Sequence, residues 1–153
     1  MTEIHWQAPE EETMAELGQK LRAGFDLHRG GIVYLIGDLG MGKTTLSRGI
    51  IRAFGWQQAV KSPTYTLVES YELDLCEIHH FDLYRINDPE ELEYLGMDSY
   101  FDGQSLCLIE WPEKGAPLLP PADLSIRLIA NGDGRELIIQ PHSQIGITWC
   151  QDW

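Results

Sequence analysis

Basic residues are scarce in this chain of 153 residues: 11 lysines and arginines stand against 24 aspartates and glutamates, a formal net charge of −13 at pH 7. Most of such a surface repels a phosphate backbone, so tight direct binding to nucleic acid by this chain alone is not expected, and basic protein partners suit it better. Cysteine is also sparse. Cys76, Cys107 and Cys150 are odd in number and form no C-x-x-C or metal-ligand spacing, which points to reduced thiols used in packing. No apolar run approaches the roughly 20 residues that a membrane span needs. The stretch Met1 to Trp6 lacks a basic segment followed by an apolar one, so neither a secretory nor a transit signal is read there. The expectation is a soluble, cytoplasmic protein with no membrane contact. No internal repeat, low-complexity tract or linker interrupts the chain, and its length suits a single domain over residues 1–153.

What is present is strongly patterned. Thr13-Met14-Ala15-Glu16 reads as a capping box opening a helix on which Met14, Leu17, Leu21 and Phe25 recur at helical spacing. Gly30-Gly31 ends that region, and Ile32 to Ile36 is a continuous apolar run of the kind that a strand buried on both faces requires. A glycine-rich turn follows, then a helix carrying Leu46, Ile50 and Phe54 on one face and stopping near Gly55. Tyr65 to Tyr71 and Ile78 to Phe81 read as a hairpin around Glu72-Leu73-Asp74. A short acidic helix opens at Asp88-Pro89 and closes near Gly96. Leu106 to Ile109 is a second wholly apolar run, ended by Glu110, and Ser125 to Ala130 and Arg135 to Ile139 form a hairpin about Asn131-Gly132-Asp133-Gly134.

Gly37-Asp38-Leu39-Gly40-Met41-Gly42-Lys43-Thr44 matches G-x-x-x-x-G-K-[ST] in full and lies between a buried strand and a helix, the setting that the motif demands. Its glycines let backbone amides turn inward around phosphate oxygens, and the helix that begins near Lys43 adds its positive end. Lys43 is expected to reach the β- and γ-phosphates, and the Thr44 hydroxyl to bind the magnesium that bridges them. Such a loop also needs a carboxylate at the end of a neighbouring strand. Asp82 and Glu110 both qualify by position, and the residues alone leave open which serves the metal and which orients water. In Ser62-Pro63-Thr64, the Thr64 hydroxyl suits a switch that senses the γ-phosphate, or the segment is a plain passage from loop to strand. His79 and His80 are adjacent in a strand, so they face opposite ways and cannot share a metal; both read as structural or surface residues. Trp111 either covers the site or packs beside it.

Taken together, the phosphate loop, Lys61 to Glu69 (KSPTYTLVE), His80 to Arg85 (HFDLYR), Asp88 to Leu92 (DPEEL) and Ile109 to Pro112 (IEWP) closely resemble the TsaE family, also called YjeE, over nearly the whole chain. That resemblance implies an α/β protein with the three-layer P-loop nucleoside triphosphate hydrolase fold and a mixed central sheet. It implies an ATPase needed for threonylcarbamoylation of adenosine 37 in tRNAs that read codons starting with A. In such a system the ATPase acts on a heterodimer of TsaB and TsaD to support repeated turnover, and meets tRNA only through those partners. Carried over by position, Asp38, Leu39, Gly40, Met41, Gly42, Lys43, Thr44 and Thr45 bind ATP, Thr44 and Glu110 associate with Mg2+, and Asp82 and Thr64 are catalytic or switch residues. Thr13 and Arg135 resemble residues near the nucleotide base.

Two other activities fit the chain less well. A GTPase normally carries an N-K-x-D segment, and none of Lys20, Lys43, Lys61 or Lys114 lies in one. A small-molecule kinase needs an arginine-bearing lid for which this arginine-poor chain has little material. A third reading is a nucleotide-gated protein-binding module, in which ATP orders the Thr64 loop and hydrolysis is incidental.

Overall fold

The computed structural model describes residues 3–26 and 29–153. Seven strands form one sheet in the order β1-β7-β6-β2-β5-β4-β3. In chain order the elements are β1 (Ile4–Ala8), α1 (Glu11–Gly24), β2 (Gly31–Ile36), α2 (Lys43–Ala53), β3 (Val68–Glu72), β4 (Glu77–Asp82), α3 (Glu91–Tyr94), β5 (Leu106–Glu110), β6 (Leu124–Asn131), β7 (Gly134–Pro141) and α4 (Gln144–Trp149). Strands β6, β2, β5 and β4 run parallel at the centre. Antiparallel partners complete both sides: β7 and then β1 beyond β6, and β3 beyond β4. The sheet is mixed, as the combination of wholly apolar strands and hairpins predicts.

The alternation of side chains sorts the core into two layers. Val33, Leu35, Leu106 and Leu108 join Leu17, Leu21, Leu46 and Ile50 of α1 and α2 on one face. Cys107, Ile109 and Phe81 join Leu83, Leu92 and Met97 on the other. All five residues of β5 are buried, because helices cover both its faces. Helices α1 and α2 approach closely at two glycines. A Cβ on Gly18 would stand 2.7 Å from the Gly49 carbonyl oxygen, so backbone packs on backbone there. The buried thiols fit a packing role: burial pushes Cys107 up to about 12 and Cys150 up to about 11, far from the range of a reactive thiolate.

Several boundaries differ from expectation, each for a local reason. Helix α1 begins before Thr13; its N-cap is Glu10, and the Thr13 amide donates to the Glu10 carbonyl at 3.2 Å, so the capping box does not form. Glu11 and Glu12 in the first turn favour that earlier start through the helix dipole. Strand β3 starts at Val68 rather than Tyr65, because Leu67 adopts a left-handed φ of 69° and donates its amide to the Pro63 carbonyl at 2.8 Å. The β3–β4 turn lies one residue later than expected: Glu72 pairs with Glu77, and the Leu73 amide bonds the Cys76 carbonyl. Helix α3 is shorter than read, with Asp88-Pro89 forming the turn that leads into it and Gly96 at a φ of 65° ending it. Strand β1 and helix α4 were not anticipated. β1 alternates outward and inward residues in pairing with β7, and α4 is capped by Ser143, whose Oγ accepts the Gly146 amide.

Candidate functional site

The glycine-rich loop joins β2 to α2 at the C-terminal edge of the parallel strands, where open α/β sheets bind ligands. Gly40 and Gly42 take φ values of 80° and 103°, which side chains disfavour, and Gly42 gives α2 no side-chain cap. The first turn of α2 thus opens onto the loop without a capping side chain, the arrangement that receives anions. Lys43 is buried within the loop. Its Nζ donates to the carbonyls of Gly37 and Asp38, the latter at 3.1 Å, and lies 4.1 Å from the centroid of the Trp111 ring. Burial lowers the Lys43 pKa, and the charges of Glu110 and Asp82 oppose that shift.

Asp82 and Glu110 close the opposite side. They are register partners at the ends of β4 and β5, so both carboxylates project from the same face and the same edge. Burial raises the Asp82 pKa, and the Glu110 charge adds to the rise; the Tyr84 amide, donating to Asp82 Oδ1 at 3.0 Å, works against it. With Lys43, Thr44, Thr64 and Trp111 the two carboxylates line a cleft of about 400 Å³. Thr64 Oγ1 is 2.8 Å from Ser62 Oγ, and the base of its loop is held by the Tyr71 hydroxyl, which accepts the Lys61 amide at 3.0 Å. Trp111 lies over Lys43 and against Tyr84, with ring centroids 5.0 Å apart, so it both lines the cleft and packs.

A second cavity of about 280 Å³ adjoins the first across the loop, with Met14, Met41, Gly42, Thr45, Gly134 and Arg135 in its wall. Arg135 braces the loop here, donating from Nε to the Met41 carbonyl at 2.9 Å and from a terminal nitrogen to the Gly40 carbonyl at 3.1 Å. Thr13 lines neither cavity, although Glu10, Glu11 and Met14 around it do. Asp38 and Leu39 are exposed, and Asp38 meets Lys43 through its carbonyl.

Two residues at the site, His80 and Arg85, escaped the sequence reading. His80 is fully buried, and its Nε2 lies 2.5 Å from Glu110 Oε2. The signal available was the two-residue spacing of His80 and Asp82, which puts both on one face of β4. Arg85 also lines the cleft, its guanidinium carbon 4.5 Å from the centroid of the exposed Tyr65 ring.

A glycine-rich loop between strand and helix, a buried lysine inside it and paired carboxylates at the adjoining strand ends define a P-loop α/β protein. Comparison with known proteins narrows the class. Residues 8–137 match the family model described as threonylcarbamoyl adenosine biosynthesis protein TsaE. A tRNA threonylcarbamoyladenosine biosynthesis protein TsaE from Haemophilus influenzae is 47% identical over 141 residues, 90% of this chain and 89% of the relative. The protein of that name from Bacillus subtilis is 37% identical over 133 residues, 87% of this chain and 82% of the relative. The solved structure of Bacillus subtilis YdiB superposes with a TM-score of 0.81 at 30% identity, covering 99% of this chain and 93% of that one. The chain belongs to the TsaE family.

Proposed function

We propose that this chain binds ATP with magnesium and hydrolyses it in the service of tRNA threonylcarbamoylation at adenosine 37, acting on a TsaB–TsaD heterodimer to support repeated rounds. The observation that carries the reading is a buried ammonium, Lys43, facing two carboxylates across a loop built to hold phosphate. The cleft suits the triphosphate and the adjoining cavity suits the nucleoside, with Met14 and Met41 as apolar walls for a base. Absence of an N-K-x-D segment favours adenine over guanine.

The donor set fits a magnesium ion that keeps several waters: one hydroxyl, from Thr44, and one carboxylate, from Glu110, beside substrate phosphates, with Asp82 adding negative charge close by. When bound, that ion neutralises charge that builds on the phosphate oxygens. The protein's own groups do the rest. Lys43 and the loop amides draw in the phosphates; Asp82, fixed at its strand end by the Tyr84 amide, orients the attacking water; Trp111 and Tyr84 restrict solvent above Lys43. Hydrolysis by the isolated chain is slow, because its motifs position no arginine finger. The net charge of −13 leaves tRNA to the partners.

Calorimetry with Mg·ATP tests the foundation: Lys43→Ala should lose measurable binding, and wild-type affinity in that variant would end the proposal. Asp82→Ala and Glu110→Ala should bind ATP and the heterodimer yet fail to sustain multiple rounds of modification. Exposed Tyr65, 81% accessible beside Thr64, favours a second reading in which ATP occupancy gates docking. That reading prevails if both carboxylate variants support full turnover.

A further inference from the structure

Two buried polar atoms lack hydrogen-bond partners among the described residues: Ser47 Oγ and His80 Nδ1. Both belong to fully buried residues, so each is costly to leave unpaired. Their placement is correlated. Ser47 is one helical turn beyond Lys43 on α2, about 6 Å further from the mouth of the cleft. His80 is two residues behind Asp82 on β4, about 6–7 Å in the same direction. Helix α2 packs on the sheet face that carries Ile78 and Leu108, and His80 shares that face because it follows Ile78 by two residues and is the register partner of Leu108. Ser47 and His80 are thus both set back behind the Lys43–Glu110–Asp82 cluster, and their unpaired atoms are not hydrogen-bonded to each other.

We propose that His80 is the positioning residue for Glu110, presenting Nε2–H to the carboxylate from the buried side of the site. A carboxylate only accepts, so Nε2 carries the proton in the 2.5 Å contact with Glu110 Oε2. Nδ1 has no hydrogen-bond partner among the described residues, so Glu110 is the group that orients the ring. The consequence is directional. Oε2 of Glu110 is held from below, which leaves Oε1 as the oxygen turned to the cleft and fixes the side-chain rotamer in a site that needs close placement. His80 does not line the cleft and acts through Glu110.

The proposal rests on the ATPase reading for its kinetic consequences, so its test has one arm that needs no turnover. In 15N-labelled protein, His80 should show a protonated Nε2 whose hydrogen exchanges slowly with water and whose shift moves in Glu110→Gln. Protonation at Nδ1, or a fast-exchanging Nε2 hydrogen, overturns the proposal. In the kinetic arm, His80→Leu should lower kcat by about 10–100-fold while KM for Mg·ATP stays unchanged. His80→Gln places an amide N–H near the position of Nε2 and should recover most of that loss, whereas the shorter His80→Asn should not. Thermal melts and ATP calorimetry on each variant exclude misfolding as the cause. Wild-type kcat in His80→Leu, or equal losses in the Leu and Gln variants with folding intact, overturns the positioning role. A wild-type chain with the protected imidazole hydrogen but no ATP turnover sinks the hydrolase reading and supports the brace.

Discussion

Asp82 and Glu110 are directly paired residues on adjacent parallel strands, so two buried carboxylates share one edge of the cleft with Lys43 as the nearby buried cation. Such a pair repels itself and favours a protein that binds a second cation. Asp82→Asn removes one charge without changing the shape. The nucleotide-free variant should melt at a higher temperature than wild type at neutral pH, while the ATP hydrolysis that the proposed function assigns should fall by about 10²-fold or more, as loss of a group that handles a proton predicts. A melt unchanged or lower, with activity retained, would show that this carboxylate is neither strained nor used.

Arg135 reaches from β7 to the loop and gives two charge-assisted hydrogen bonds to its carbonyls. Bonds of this kind contribute about 1.5–3 kcal/mol each, and on the proposed function they pre-order the loop that would receive ATP. Arg135→Ala should weaken Mg·ATP binding by about tenfold or more, with a smaller effect on thermal stability. Titration calorimetry beside a melting curve separates the two effects.

The α1–α2 contact has no room for a side chain at Gly18. Gly18→Val should force the helices apart and cost about 1–3 kcal/mol, the usual range for overpacking. Urea unfolding reads the loss as a lower midpoint with an unchanged slope. Gly55 offers a contrast in kind: nothing lies within 4 Å of a Cβ there, so any penalty at that position arises from its φ of 110° and not from crowding.

His79 supplies the pH dependence that is best separated from the cleft. It faces away from Lys43, with Ser70 Oγ at 2.7 Å from Nδ1, Glu77 Oε2 at 3.6 Å from Nε2, the Tyr100 ring at 4.8 Å and Asp102 nearby. Burial holds its pKa below the ordinary 6.5, and the Glu77 and Asp102 charges only partly offset this. The folded state thus disfavours the imidazolium relative to the unfolded chain. Its stability contribution is complete above 6.5 and is lost as the pH falls through the depressed folded value. Melting temperature should drop on acidification through that window, and His79→Gln should drop less. Parallel curves for the two proteins would refute the assignment.

The phosphate loop was legible because all its parts are contiguous: Gly37 to Thr44 carry the backbone freedom, the ammonium and the hydroxyl within one turn. Strands β2 and β5 were legible as unbroken apolar runs, and the β6–β7 hairpin from Asn131 to Gly134. Edge strand β1 was not, because its alternation is brief and its partner in β7 lies at the far end of the chain. The start of β3 was misplaced because propensity favours a strand through Thr66 and Leu67, whereas the turn closing on Pro63 and the Asp82 amide donating to the Leu67 carbonyl impose another path.

By itself the sequence determined the phosphate loop, the two apolar strands around it and the identity of Asp82 and Glu110 as carboxylates at strand ends, since these follow from local backbone chemistry and from hydrophobic period. Only the tertiary structure decided that Asp82 and Glu110 are neighbours, that His80 grips Glu110, and that Arg135 clasps the loop. Those contacts join residues far apart in the chain, and sheet register, which sets which side chains meet, is fixed by burial of the whole core rather than by any one segment.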